Sequence, residues 1–319
     1  MNIITHIATF AAAIVAIWFF AGLIVESIDR VASKFKNSGF VVAFFLLGFL
    51  TSLGEISVAI NSVLDGVPQV AAGNLVGASF VLLLFIIPLL AVASGGIKMH
   101  KIFDGWRLAY VLLVIALPSL FLLDGTLSTT EGTATALFLV SVVWVIKKYD
   151  VPSNVRKVIE SENTRSPLLD IGKVIISAVV IFFAGHLLVG EAVYFADILN
   201  APKSLIGMIV LSVGTNIPEI AIALRAVLKN RSEVALGNYL GSATMNSAIF
   251  AVLGLVSGSF AVAQEEFVVS FGFTLVGFIL FYFFIRSKDI LSRKEGIILL
   301  GLYALFLGTH IVSLIKNAL

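Results

Sequence analysis

The chain has 319 residues, 59% of them hydrophobic and 13% charged, with a mean hydropathy of +1.08. An average soluble domain carries about 25% charged residues. This chain therefore lacks the charge to clothe a water-facing surface, which excludes a cytosolic enzyme and a nucleic-acid binder working through a basic face. The net charge is only +2 and cysteine is absent, so disulfides, thiolate metal sites and cysteine nucleophiles are excluded too.

A bilayer core of about 30 Å takes roughly 20 apolar residues per helix. Ten such stretches follow one another at 2–25, 40–64, 70–93, 106–123, 127–146, 171–190, 204–228, 234–260, 264–285 and 295–315. The first has no basic leader and too long an apolar run for a signal peptide, so it reads as a helix. Between the fifth and sixth, Lys147 to Asp170 mixes both charge signs with Pro152, Ser153, Asn154 and Pro167, the composition of a flexible cytoplasmic linker. The expected organisation is a first five-helix repeat (1–146), a cytoplasmic linker (147–170) and a second five-helix repeat (171–319).

Loop charge orients the bundle. With loops numbered by the helix they follow, the odd loops and their helix ends hold 19 of the 21 Lys and Arg, leaving Lys203 and Lys316. Cytoplasmic loops carry the Lys/Arg excess, so both termini are expected outside. One missed helix would scramble this alternation.

The two halves align at a shift of 164 positions. Thr51 falls on Thr215, Glu55 on Glu219, Gly73-Asn74 on Gly237-Asn238 and Gly77 on Gly241, with 11 identities in the 27 positions from 51 to 77 and no gap. The same shift carries Glu131-Gly132 onto Glu295-Gly296. Chance likeness between apolar helices yields Leu and Val matches, not Glu, Asn and paired Gly in one register. Five helices is an odd number, so the second half enters the membrane from the opposite side. The expected fold is all-α, an integral membrane protein of ten transmembrane helices arranged as two inverted-topology repeats, the design of secondary transporters that bind substrate near the midplane.

Two carboxylates sit well inside apolar stretches, Glu55 and Glu219, and they are repeat-equivalent. An ionisable group at that depth is costly and points to function. Gly48, Gly54, Gly214 and Pro218 weaken or break the helix beside each Glu, and broken membrane helices occur where freed carbonyls line a cavity or bind an ion. Thr51 and Ser52 stand a turn from Glu55, and Thr215 and Asn216 a turn from Glu219. The third and eighth helices add Asn74, Asn238, Ser242, Thr244 and Asn246. All of these donors are oxygens. Calcium takes about six to eight oxygen ligands, and two ionised glutamates balance one divalent cation. Softer metals would recruit Cys or His. His6, His100, His186 and His310 lie far apart without metal-ligand spacing, and His186 reads as a packing residue of the sixth helix. Gly73 and Gly77, like Gly237 and Gly241, form small-xxx-small pairs for close helix packing.

These residues resemble the sodium/calcium exchanger family, within the cation/calcium antiporter superfamily. The resemblance is strongest in Gly214-Thr215-Asn216-Ile217-Pro218-Glu219, followed by Gly237-Asn238-Tyr239-Leu240-Gly241-Ser242 and Asn246. It implies calcium held between Glu55 and Glu219, with Thr51, Thr215, Ser52, Asn216, Asn74, Asn238, Ser242 and Asn246 completing the calcium and sodium sites. It further implies that the first and sixth helices slide across the rest. The first repeat departs from the family pattern: Gly54 stands where Pro is usual, Ala78 matches Ser242, and Leu82 matches Asn246. Asn216 replaces a Ser of the second-repeat motif. One flanking sodium site thus lacks oxygens. The proton/calcium branch usually shows a His beside the motif Glu, where this chain has Ile56 and Ile220.

The expected function is Na+/Ca2+ antiport by alternating access, with H+/Ca2+ antiport as the alternative. An intramembrane enzyme and a passive channel are remote alternatives. The enzyme lacks a nucleophile, metal cluster or buried basic clamp, and a channel does not call for an inverted repeat within one chain. No resident cofactor is expected; Ca2+ and Na+ or H+ are substrates. The expected partners are inorganic cations and the bilayer, with no nucleic acid. A monomer in a prokaryotic plasma membrane is the expected setting.

Overall fold

The computed structural model describes residues 2–32, 48–49, 51–98, 105–147, 167–217, 219–220, 232–288 and 290–318. Its helices, numbered in chain order, are α1 (Ile3–Ala32), α2 (Leu53–Leu64), α3 (Pro68–Ser94), α4 (Gly105–Phe121), α5 (Thr129–Lys147), α6 (Pro167–Ile198), α7 (Lys203–Thr215), α8 (Ser232–Ser257), α9 (Gln264–Lys288) and α10 (Arg293–Ala318). Four short strands lie between them: β1 (Gly96–Lys98), β2 (Thr126–Leu127), β3 (Phe260–Ala261) and β4 (Ile290–Ser292). Among the described residues, seven helices are long and apolar enough to cross a membrane; α2, α7 and Thr129–Val145 of α5 are apolar but shorter. The N-terminal part of the stretch expected at 40–64 and the C-terminal part of 204–228 lie outside the described residues, as does 148–166 of the expected linker.

The helix ends differ from expectation where polar residues continue a helix beyond its apolar run. The first helix extends to Ala32 rather than 25, and α6 spans Pro167–Ile198 rather than 171–190. Two helices carry internal π turns that the apolar pattern does not reveal, Val81–Ile86 in α3 and Gly207–Leu211 in α7.

The repeat is visible in the backbone. A capping box opens α5: Ser128 donates its N–H and Oγ–H to Glu131 Oε2 at 2.7 and 2.8 Å. The same box opens α10, where Ser292 donates to Glu295 Oε2 at 2.8 and 2.7 Å. The Glu131–Glu295 match is thus a helix start signal that satisfies backbone donors. The strands pair across the halves. β1 pairs antiparallel with β4, Ile97 opposite Leu291, and β2 with β3, Leu127 opposite Phe260.

Close crossing of α3 and α7 needs glycine. A Cβ on Gly73 would collide with the Ser204 carbonyl, and one on Gly77 with the Met208 carbonyl. The small-xxx-small pair of the third helix therefore packs backbone against backbone with α7 of the other half, and it carries Asn74 in with it.

Two separate apolar cores result. The larger gathers α3, α4, α8, α9 and α10 around Phe80, Phe250, Phe267, Phe281 and Phe306. The second joins α1 to α6, with Ala13, Ile17, Ala21 and Ile24 meeting Ile181, Ala184, Leu188 and Ala192, and it touches the rest through Val58, Val67, Val70, Ile206 and Leu211. The outer faces of both helices expose large apolar residues such as Val15, Phe19, Ile176 and Phe183, as lipid contact requires.

Overpacking a close crossing costs about 1–3 kcal/mol. Gly73→Val should therefore lower the melting temperature of the detergent-solubilised protein by several degrees. Gly190→Ala, where a Cβ meets nothing within 4 Å, should leave it unchanged. Equal melting temperatures for Gly73→Val and the parent would refute the backbone contact.

Candidate cation site

Both functional segments are broken helices, and the breaks are equivalent. Ser52 has φ −86° and ψ 15°, and Asn216 has φ −90° and ψ 9°. Both lie in the sparsely allowed bridge region, where active-site residues often sit. Helix resumes at once, since Ile56 N–H donates to Ser52 O at 2.9 Å and Ile220 N–H to Asn216 O at 3.1 Å. The interruption therefore sits at Ser52 and Asn216 themselves, not at Gly54 or Gly214, which are helical.

The structure brings the two halves together at these breaks. Glu55 and Glu219 are each 1% exposed and close enough to repel one another. The Thr215 hydroxyl lies 3.4 Å from Asn74 Oδ1. Thr51 Oγ1 and Ser242 Oγ share a hydrogen bond of 2.7 Å. Each of these contacts joins a residue of one half to a residue of the other. Asn216 Nδ2 donates back to Ser212 O at 2.7 Å, which turns its Oδ1 away from the backbone. Tyr239 OH donates to the Glu219 backbone carbonyl at 3.2 Å and so supports the segment from α8.

Ser52, Asn74 and Asn246 are also buried. Asn238 lies on α8, but its side chain is outside the described residues. Thr244, a weaker sequence expectation, spends its hydroxyl on Leu240 O at 2.8 Å.

Unmatched polar atoms concentrate here. Ser52 Oγ, Glu55 Oε2, Asn74 Nδ2, Asn216 Oδ1, Glu219 Oε2 and both amide atoms of Asn246 are buried without a hydrogen-bond partner. Native interiors satisfy the great majority of such groups, and exceptions call for an explanation. Carboxylate, hydroxyl and amide oxygens are the donors that a hard cation takes. The Asn amide orientations are assigned from hydrogen bonding. Among the described residues no basic side chain pairs with Glu55 or Glu219.

The asymmetry between halves has a structural counterpart. Thr51 finds a hydroxyl at Ser242, whereas the equivalent position facing Thr215 is Ala78. Thr215 turns to Asn74 instead.

Sequence reading missed the carboxylate–histidine pairs. Glu191 and Glu266 are both buried: Glu191 accepts from His6 at 2.8 Å and Glu266 from His310 at 2.7 Å. His186 does not pack as expected. It is 56% exposed and lies 3.3 Å from Asp65 Oδ2, an exposed pair of the kind worth about 0–1 kcal/mol.

Ala78→Ser should give Thr215 the hydroxyl that Thr51 already has. The expected outcome is a larger sodium-dependent rise in melting temperature than in the parent, with Ser242→Ala giving a smaller one. Identical sodium responses in all three proteins would remove these hydroxyls from the site.

Comparison with known proteins agrees with the repeat. The model of the sodium/calcium exchanger protein family matches residues 5–147 and 170–312. An uncharacterized membrane protein of Methanocaldococcus jannaschii is 25% identical over 96% of this chain and 98% of its own length. A sodium/calcium exchanger of Methanosarcina acetivorans is 31% identical over 43% of this chain and 39% of its own. A putative antiporter of Alkalimonas amylolytica is 28% identical over 73% of this chain and 76% of its own. Among solved structures, the sodium-calcium exchanger NCX_Mj soaked with Na+ and Sr2+ shares the fold, with a TM-score of 0.67 at 21% identity, over 96% of this chain and 99% of that one. With both halves of its sequence matched by one family model, this membrane chain belongs to the sodium/calcium exchanger family of cation antiporters.

Proposed function

We propose that the protein exchanges Na+ for Ca2+ by alternating access, with the cation bound between Glu55 and Glu219. The observation that carries this reading is the meeting of two buried carboxylates, one from each half, with no basic partner among the described residues. Removing a carboxylate from water costs several kcal/mol per ion unless it is compensated. A transporter therefore cannot switch with both glutamates ionised and bare. Either a divalent cation, or sodium ions or protons, must neutralise them first, and this makes exchange obligatory.

Thr51, Thr215, Ser52, Asn216, Asn74, Asn238, Ser242 and Asn246 would supply the remaining oxygens of the calcium and sodium sites. The hard-oxygen donor set suits a calcium-like cation. In this reading residues 1–146 and 171–319 form two inverted repeats of five helices flanking the linker at 147–170, with both termini outside a prokaryotic plasma membrane. The strand pairing supports the inversion. Loops three and nine carry Lys98 and Arg293 and meet through β1 and β4, while the turns of loops four and eight, which hold no Lys or Arg, meet through β2 and β3. The apolar contact of α1 with α6, through Ala13, Ile17, Ala21 and Ile24 against Ile181, Ala184, Leu188 and Ala192, supports their movement as one unit.

Proton coupling is the second reading, favoured by Ala78 and Leu82 where Ser242 and Asn246 stand in the other half. The two readings separate in proteoliposomes loaded for an outward sodium or an outward proton gradient. Radioactive calcium uptake is expected under the sodium gradient and at background in Glu55→Gln and Glu219→Gln. Uptake under the proton gradient alone would replace sodium by protons as the coupling ion. Full uptake by either Gln variant would overturn the site.

A further inference from the structure

A second buried polar cluster lies outside the cation site, between α9, α10 and α7. His310 is 1% exposed and Glu266 7%. His310 Nδ1 lies 2.7 Å from Glu266 Oε2, and Ser313 Oγ donates to Glu266 Oε1 at 2.7 Å. On the other edge of the ring, His310 Nε2 lies 3.2 Å from Ser270 Oγ. Ser270 Oγ is also 2.7 Å from the Glu266 backbone carbonyl and 3.0 Å from Met208 Sδ. Met208 belongs to the π turn of α7. Its carbonyl accepts from Ser212 Oγ, and Ser212 O accepts from Asn216 Nδ2 at 2.7 Å. A continuous set of polar contacts thus runs from His310 to a residue of the cation site.

We propose that His310 and Glu266 form a proton-binding site that positions the π turn of α7, and with it Thr215 and Asn216, through the Ser270 hydroxyl. The part concerning Thr215 and Asn216 rests on their reading as cation ligands. The reasoning is a count of hydrogens. Ser270 has one hydroxyl hydrogen and three acceptors within reach. When the imidazole is neutral, its single N–H faces the Glu266 carboxylate and bare Nε2 takes the Ser270 hydrogen. Met208 Sδ is then left without a donor. When the imidazole gains a proton, Nε2–H donates to Ser270 Oγ, and the Ser270 hydrogen returns to Met208 Sδ or to the Glu266 carbonyl. Glu266 holds the added charge, itself steadied by Ser313. Histidine is the side chain whose charge ordinarily changes near neutral pH.

Glu266 is the charged group that faces His310 from α9. Helix α3, which reaches the cluster through the stacking of Phe80 on Phe306, has no titratable side chain, and the π turn contributes Met208. On α10 itself the nearest titratable neighbours in sequence are Lys316 and Tyr303. The network is not a demand of the five-helix fold. The shift of 164 places Ile102, Trp106 and Ile146 at the positions of Glu266, Ser270 and His310 in the first half.

The test is hydrogen–deuterium exchange of the full-length protein in detergent without calcium, at about pH 6 and about pH 8, corrected for intrinsic exchange. Protection of 208–216 is expected to change at least threefold between the two conditions, and to change by less than half as much in His310→Gln and in Ser270→Ala. The smaller Ser270→Ala change guards against misfolding of the histidine variant. A parent-like response in both variants would overturn the proposal. Calcium uptake by the same variants then separates the two readings. A flattened pH dependence of apparent calcium affinity supports the coupling to the ligands. Lost protection changes with parent-like calcium uptake at both pH values would retain the proton site and overturn Thr215 and Asn216 as ligands.

Discussion

The organising constraint is the burial of two like charges. Glu55 and Glu219 are placed together in the interior, at a depth where neither can be hydrated and where no arginine or lysine among the described residues answers them. A low-dielectric surrounding strengthens every electrostatic term, favourable or not. The pair is tolerable only when its charge is compensated. The helix interruptions at Ser52 and Asn216 lie three residues before each glutamate, with the buried hydroxyls of Thr51 and Thr215 beside them.

Helix interruption and helix crossing supply that environment together. At Ser52 and Asn216 the backbone leaves helical geometry for one residue and returns. Backbone hydrogen bonding closes again at once, Ile56 N–H donating to Ser52 O and Ile220 N–H to Asn216 O, so no loop is sent into lipid. Gly73 and Gly77 let α3 approach α7 closely enough to set Asn74 beside Thr215. The π turn of α7 widens the helix just before Thr215 and Asn216. Packing, not local sequence, decides where each oxygen points.

The two cores give these contacts a mechanical setting. α1 and α6 meet in a smaller apolar cluster that also takes in Val58, Val70, Ile206 and Leu211, while α3, α4, α8, α9 and α10 share a larger, aromatic one. Between them run polar contacts of a different kind. Ser57 Oγ donates to Ile181 O at 2.8 Å, and Asn61 Nδ2 to Phe182 O at 3.0 Å, joining α2 to α6. Hydrogen bonds to carbonyls can be remade at a neighbouring carbonyl at small net change in free energy, whereas an interdigitated core resists displacement.

The sequence by itself determined the membrane class, the repeat, its register and the identity of the buried glutamates, because each depends on composition or periodicity. Apolar length fixes a span, a rare Glu in that span is conspicuous, and a constant shift of 164 is arithmetic. It also located the glycine pair of the third helix, since close packing needs small residues wherever it occurs. Only the tertiary structure decided the rest. The pairing of His310 with Glu266 joins residues 44 apart, and that of His6 with Glu191 joins residues 185 apart. Nothing in the local pattern of either residue marks its partner. The helix break falls on Ser52 and Asn216 rather than on the neighbouring glycines because backbone conformation at a crossing is set by what packs against it. The partner of Thr215 is Asn74 rather than a hydroxyl on α3 because Ala78 offers none, and the contact is made through space between two halves of the chain.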